Sequence, residues 1–105
     1  RYRMIFIETK SFVRTQAGIL SEDELRQLQT SLVLNPQSGK VVPGSRGLRN
    51  LRWRDSGRGK RGGMRVIYYW IQKKDNIYLL IAFAKNKHED LSADKLRTLK
   101  ALIGD

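Results

Sequence analysis

The chain has 105 residues and no cysteine, and its 21 Lys and Arg against 10 Asp and Glu give a formal net charge of +11 at pH 7. The length suits one domain over residues 1–105, with a core large enough to need neither a disulfide nor a structural metal. Without cysteine, disulfide scaffolds, thiol nucleophiles and zinc fingers are excluded, and a reducing cytoplasm is the expected setting. The longest apolar candidates, Val66–Ile71 and Ile77–Ala84, have the length of strands and not of membrane spans. The apolar stretch near the start is too short for a signal peptide. Met4 is read as the natural start, with residues 1–3 a remnant ahead of it.

In chain order, Met4 to Glu8 predicts a first strand, and Ser11 to Leu20 a weak helix interrupted by Gly18. Ser21-Glu22-Asp23-Glu24 is a capping box, with three early acids suited to the positive end of a helix dipole. Leu25, Leu28 and Leu32 follow as a core stripe. Asn35-Pro36 stops this helix, because the residue before proline is pushed out of the α region. Residues 36–47 predict a loop punctuated by Pro36, Gly39, Pro43, Gly44 and Gly47. Leu48 opens an alternating strand in which Leu51 and Trp53 point one way and Arg52 and Arg54 the other. Met64–Ile71 and Ile77–Phe83 are rich in β-branched and aromatic residues and predict two strands. Lys74-Asp75-Asn76 is the expected turn between them. A last helix begins at Ser92, with Leu96, Leu99 and Ile103 facing inward. The order predicts an α+β fold, with helices covering one sheet face and the other left partly open as a basic surface.

The charge is concentrated. Residues 46–65, RGLRNLRWRDSGRGKRGGMR, hold eight cationic side chains, one acid and five glycines, and so carry +7. Guanidinium forks and backbone N–H groups on a glycine-rich bend can approach a phosphate backbone together, which makes RNA or DNA the expected partner. An excess of cations can also merely solubilise a domain. A membrane-binding surface would instead set its charges on an amphipathic helix opposite bulky apolar residues, so no membrane partner is expected. Within the segment, Arg46, Arg49, Arg54, Arg58, Lys60 and Arg61 are the candidate RNA contacts. Tyr69 could stack on a base, although one of Tyr68, Tyr69 and Trp70 belongs in the core.

No nucleotide-binding loop, dinucleotide fingerprint, metal-spaced carboxylate cluster or nucleophile elbow is present. GRGKRGG lacks the strand–loop–helix context of a phosphate-binding loop, since strand sequence follows it. RNA cleavage requires no metal, cofactor or protein nucleophile, because the substrate's 2′-hydroxyl can attack the adjacent phosphorus. The protein then supplies a base, an acid and cations for the growing phosphorane charge. Arg52 and Arg65 suit the third task. Lys85 and Lys87 follow the last strand beside His88, whose ordinary pKa suits proton transfer. The same residues also fit a basic module that binds RNA or DNA without cutting it.

The run GLRNLRWRDSGRGKRGGMRVIYYW, the IYLLIAFAKN strand and the leucine-bearing final helix resemble the HigB branch of the RelE toxin superfamily over nearly the whole chain from Met4. The resemblance implies the toxin of a type II toxin–antitoxin module: an endoribonuclease that cuts mRNA in the ribosomal A site and is held inactive by a helix-turn-helix, HigA-like antitoxin. Its partners are then the antitoxin, the ribosome and mRNA, with DNA reached only through the antitoxin. By the same resemblance Arg65 matches an arginine that supports transition-state charge, and Arg52 stands where the family places a catalytic lysine. Asn50, Asn86 and Ser92 depart from a lysine, an arginine and a tyrosine of RelE. Lys85, Lys87 and His88 become the natural acid–base substitutes. An inactive relative serving only in repression is the remaining reading.

Overall fold

A computed structural model describes residues 4–53, 63–84 and 91–103. Its elements are β1 (Ile5–Glu8), α1 (Lys10–Gln16), α2 (Glu22–Leu34), β2 (Lys40–Val41), β3 (Arg49–Trp53), β4 (Met64–Ile71), β5 (Asn76–Ala84) and α3 (Ala93–Ala101). The five strands form one sheet in the order β1-β5-β4-β3-β2. Only β1 and β5 pair in parallel; the rest of the sheet is antiparallel.

Local chemistry sets the helix limits. Thr9 caps α1 by accepting from the Phe12 N–H at 3.0 Å. The capping box is present: Ser21 Oγ accepts from the Glu24 N–H at 3.1 Å, and Glu24 Oε1 accepts from the Ser21 N–H at 2.9 Å. The first helix is shorter than the predicted Ser11–Leu20. It ends at Gln16 and the chain turns through Gly18 at φ +77°, a left-handed conformation that glycine takes without strain.

Strand alternation sorts the core onto two faces. Met64, Val66 and Tyr68 of β4 pack with Leu51, Phe12, Leu28 and Leu32 beneath α1 and α2. Ile67, Leu48, Leu80 and Ile81 pack with Leu96, Leu99 and Ile103 of α3 on the opposite face. The expectation that helices cover one face only is therefore corrected, because α3 buries much of the second. Leu80 and Ile81 are neighbours yet share a face. The β4–β5 register slips between Ile67 and Tyr68, inserting one extra residue into β5. The first helix also ties down the backbone of β5 here: Thr9 Oγ1 donates to the Leu80 carbonyl at 3.1 Å and Thr15 Oγ1 accepts from the Ala82 N–H at 3.0 Å.

The predicted loop 36–47 contains β2, which adds a fifth strand at the edge. Its position depends on Tyr68, whose hydroxyl donates to the Pro36 carbonyl at 2.7 Å and accepts from the Gly39 N–H at 2.9 Å. A Cβ at Gly39 would lie 2.8 Å from the Tyr68 ring, so glycine alone lets the loop approach this closely. Burial raises the Tyr68 pKa above 10.0, the Gly39 contact offsetting it in part. Tyr68→Phe leaves the Gly39 N–H and the Pro36 carbonyl without their partner, at about 1–3 kcal/mol. The expected result is a thermal midpoint lower by several degrees, read by calorimetry. The neutral phenol is the form that folds, so its contribution is complete below the ordinary tyrosine value and is lost as pH rises through the raised folded value. The Phe variant should lack that alkaline component.

Candidate functional site

The β3–β4 register sets Arg52 directly opposite Arg65. Leu51 and Trp53 face α1 and α2, so alternation turns Arg52 to the α3 face, and Arg65 shares that face with Ile67. Beyond the reach of α3, Arg52 is exposed and Arg65 half-buried. Like charges directly across an antiparallel pair destabilise a sheet. The register therefore concentrates two guanidinium groups at one point at a cost to the sheet.

The neighbouring row completes the site. Lys40 of β2 lies opposite Asn50, which lies opposite Ile67. Lys40, Asn50, Arg52 and Arg65, with Ser38 and Leu51, line an open concavity of about 540 Å³. The side chain of Arg65 lies back along its own strand, with Nη1 3.4 Å from the Met64 carbonyl. The Oδ1 of Asn50 is buried without a hydrogen-bond partner. Three cations can bind a phosphate from several sides and oppose negative charge growing on its oxygens. Arginine stays protonated near neutral pH, so Arg52 and Arg65 offer charge and donors and no general base. Among the described residues no group of three or more His, Cys, Asp or Glu could hold a metal ion, and no helix is long and apolar enough to cross a membrane.

The other candidates divide by place. Arg49 turns to the α1–α2 face and donates to the Gln37 carbonyl at 3.1 Å and the Gly39 carbonyl at 2.7 Å, bonds that hold the loop before β2. Arg46 and Tyr69 meet at a second concavity beside α3. Ser92 caps α3 by accepting from the Lys95 N–H at 3.3 Å. Arg54, Arg58, Lys60 and Arg61, and Lys85, Asn86, Lys87 and His88, lie outside the described residues. Lys40 was not singled out from sequence; the β-branched pair Val41-Val42 beside it was the available signal for a strand in the loop.

No family model matches the chain. Two solved structures from Escherichia coli resemble it. One is the free toxin RelE carrying two arginine-to-alanine substitutions, with a TM-score of 0.63 and 12% identity over 99% of this chain and 100% of that one. The other is the intact RelBE toxin–antitoxin complex, with a TM-score of 0.54 and 15% identity over 84% of this chain and 100% of the matched one. The fold is therefore RelE-like, an α+β arrangement with five strands and three helices among the described residues.

Proposed function

We propose that the chain is the toxin of a type II toxin–antitoxin pair, in the HigB branch of the RelE superfamily, and an endoribonuclease that cuts mRNA in the ribosomal A site. The Arg52–Arg65 pair carries this reading: two arginines brought side by side on an uncovered part of the sheet, in a fold like that of a toxin over its whole length. Its partners are the ribosome, mRNA and a helix-turn-helix, HigA-like antitoxin, and its setting is the cytoplasm. DNA is reached only through the antitoxin.

In the proposed reaction the 2′-hydroxyl attacks the adjacent phosphorus, the P–O5′ bond breaks, and the products end in a 2′,3′-cyclic phosphate and a 5′-hydroxyl. One proton leaves the 2′ oxygen and one reaches the 5′ oxygen. Arg52 and Arg65 oppose the charge that develops on the phosphorane oxygens. Lys85, Lys87 and His88 are the proposed acid–base groups, with no cofactor required. Arg46, Arg49, Arg54, Arg58, Lys60, Arg61 and Tyr69 are the proposed RNA and ribosome contacts, the two bonds of Arg49 to loop carbonyls weighing against it. With a sparse acid–base apparatus, much of the rate must come from holding the mRNA in line for attack, which the ribosome would supply.

Primer extension on a reporter mRNA, with and without ribosomes in a reconstituted translation system, tests this. Codon-phased cuts only with ribosomes are expected. Equal cutting of naked RNA would indicate a self-sufficient nuclease, and no cutting would leave a binding module.

A further inference from the structure

A second basic concavity, of about 1110 Å³, lies on the α3 face and is lined by Gly44, Arg46, Tyr69, Lys74, Arg97 and Lys100 with an apolar floor. Arg65 and Tyr69 share one face of β4 four residues apart, which sets the two basic sites roughly 13 Å apart along the strand. Its parts are fixed. Ser45, buried in the loop, bonds through Oγ to the Val42 carbonyl at 2.6 Å and accepts from the Leu48 N–H at 3.0 Å. Arg46 follows at φ +62°, a left-handed conformation that a side chain rarely adopts. Lys100 Nζ sits 4.2 Å from the centre of the Tyr69 ring and donates to the Arg46 carbonyl at 2.8 Å.

These contacts decide what can bind. Lys100 covers one face of the Tyr69 ring, so the surface expected to stack on a base is already in use. No lining side chain is a carboxylate or an amide, and apart from the phenol all the polar groups are pure donors. Arg97 pairs with Asp94 at the rim, leaving Arg46, Lys74 and Lys100 as the gripping cations. A donor-only surface matches a ligand made of acceptors. Of the apolar lining, Ile103 is only 8% exposed, Ile71 is half-buried and the exposed Ala101 is small, so an acidic peptide would find little bulky apolar surface to cover.

We propose that this concavity is a second RNA site, in which Arg46, Lys74 and Lys100 hold the phosphodiester backbone of a folded RNA. The Arg52–Arg65 face meanwhile engages the strand to be cut. The inference rests on the reading of the chain as RNA-directed, but not on cleavage. The site reads charge and backbone spacing and is indifferent to base sequence.

The test is binding of a fluorescent 2′-O-methyl RNA hairpin, which lacks the attacking hydroxyl, to the full chain across a range of salt. Arg46→Gly/Lys74→Gln/Lys100→Gln should bind about tenfold or more weakly. Its salt slope should fall by about 0.9 for each phosphate that is no longer neutralised. Arg46→Gly alone should weaken binding while its melting temperature holds or rises, because glycine accepts the left-handed φ freely; a merely structural arginine would not separate the two readouts. An unchanged slope in the triple variant overturns the proposal. So does competition by poly-glutamate equal to that by RNA of the same charge, which would identify an acidic protein segment as the occupant. A chain that binds through this site yet cuts no mRNA would end the nuclease reading and leave this one standing.

Discussion

Arg65→Ala should lower ribosome-dependent cleavage by about 10²–10³-fold, the usual loss when one preorganised donor to a developing oxyanion is removed. The geometry makes the sign firm. Arg65 is half-buried on β4 directly across from Arg52, so its loss leaves only Arg52 and Lys40 of the concavity's three cations to oppose the phosphorane charge. Stability should change by only about 0.5 kcal/mol, the ordinary range outside the core, partly because relief of the like-charge pair offsets the reduced packing of the stem. Translation arrest after induction and a thermal melt of the same variant check both halves. Full toxicity in a well-folded Arg65→Ala protein would remove Arg65 from the mechanism. Arg65→Lys separates charge from geometry: a lysine keeps the charge but loses the planar fork, and should recover only part of the rate.

What the sequence made legible was local. The Ser21–Glu24 capping box lies within four residues and needs nothing else to form, and it is present. Alternation along 51–54 turned Arg52 away from the core with no knowledge of what β3 pairs with. The same parity places Arg49 with Leu51 and Trp53, on the face where it bonds to loop carbonyls. An arginine serving a carbonyl and one serving a phosphate look alike in sequence, and only the face distinguishes them. Non-local placement was harder to read. A two-residue strand has no period, so β2 and Lys40 emerge only from pairing with β3. The leucine stripe of α3 announces an inward face without saying which side of the sheet it meets. Lys100 and Tyr69 lie in different elements, and their contact follows from the register of β4 beneath α3.

The largest expected effect belongs to the substrate. A single 2′-deoxy nucleotide on the 5′ side of the cut should abolish cleavage there and leave neighbouring codons cut as before. An intramolecular nucleophile held in line has an effective molarity of about 10⁵ M or more, against roughly 55 M for bulk water, so a water-based route would be slower by at least about 10³-fold. Among the described residues, the lining of the Arg52–Arg65 concavity offers no carboxylate or imidazole to activate a water, so a nucleophile carried by the substrate asks least of it. Asn50 Oδ1 is buried and so out of reach of the 2′-hydroxyl, which leaves Asn50 a part of the lining and not a partner of the nucleophile. Asn50→Ala should then slow cutting far less than Arg65→Ala, since the charge stabilisation is kept. The product ends supply the independent readout. A 2′,3′-cyclic phosphate with a 5′-hydroxyl fits 2′ attack, whereas a 5′-phosphate, or normal cutting at the deoxy position, would require an activated water and would overturn the 2′ route.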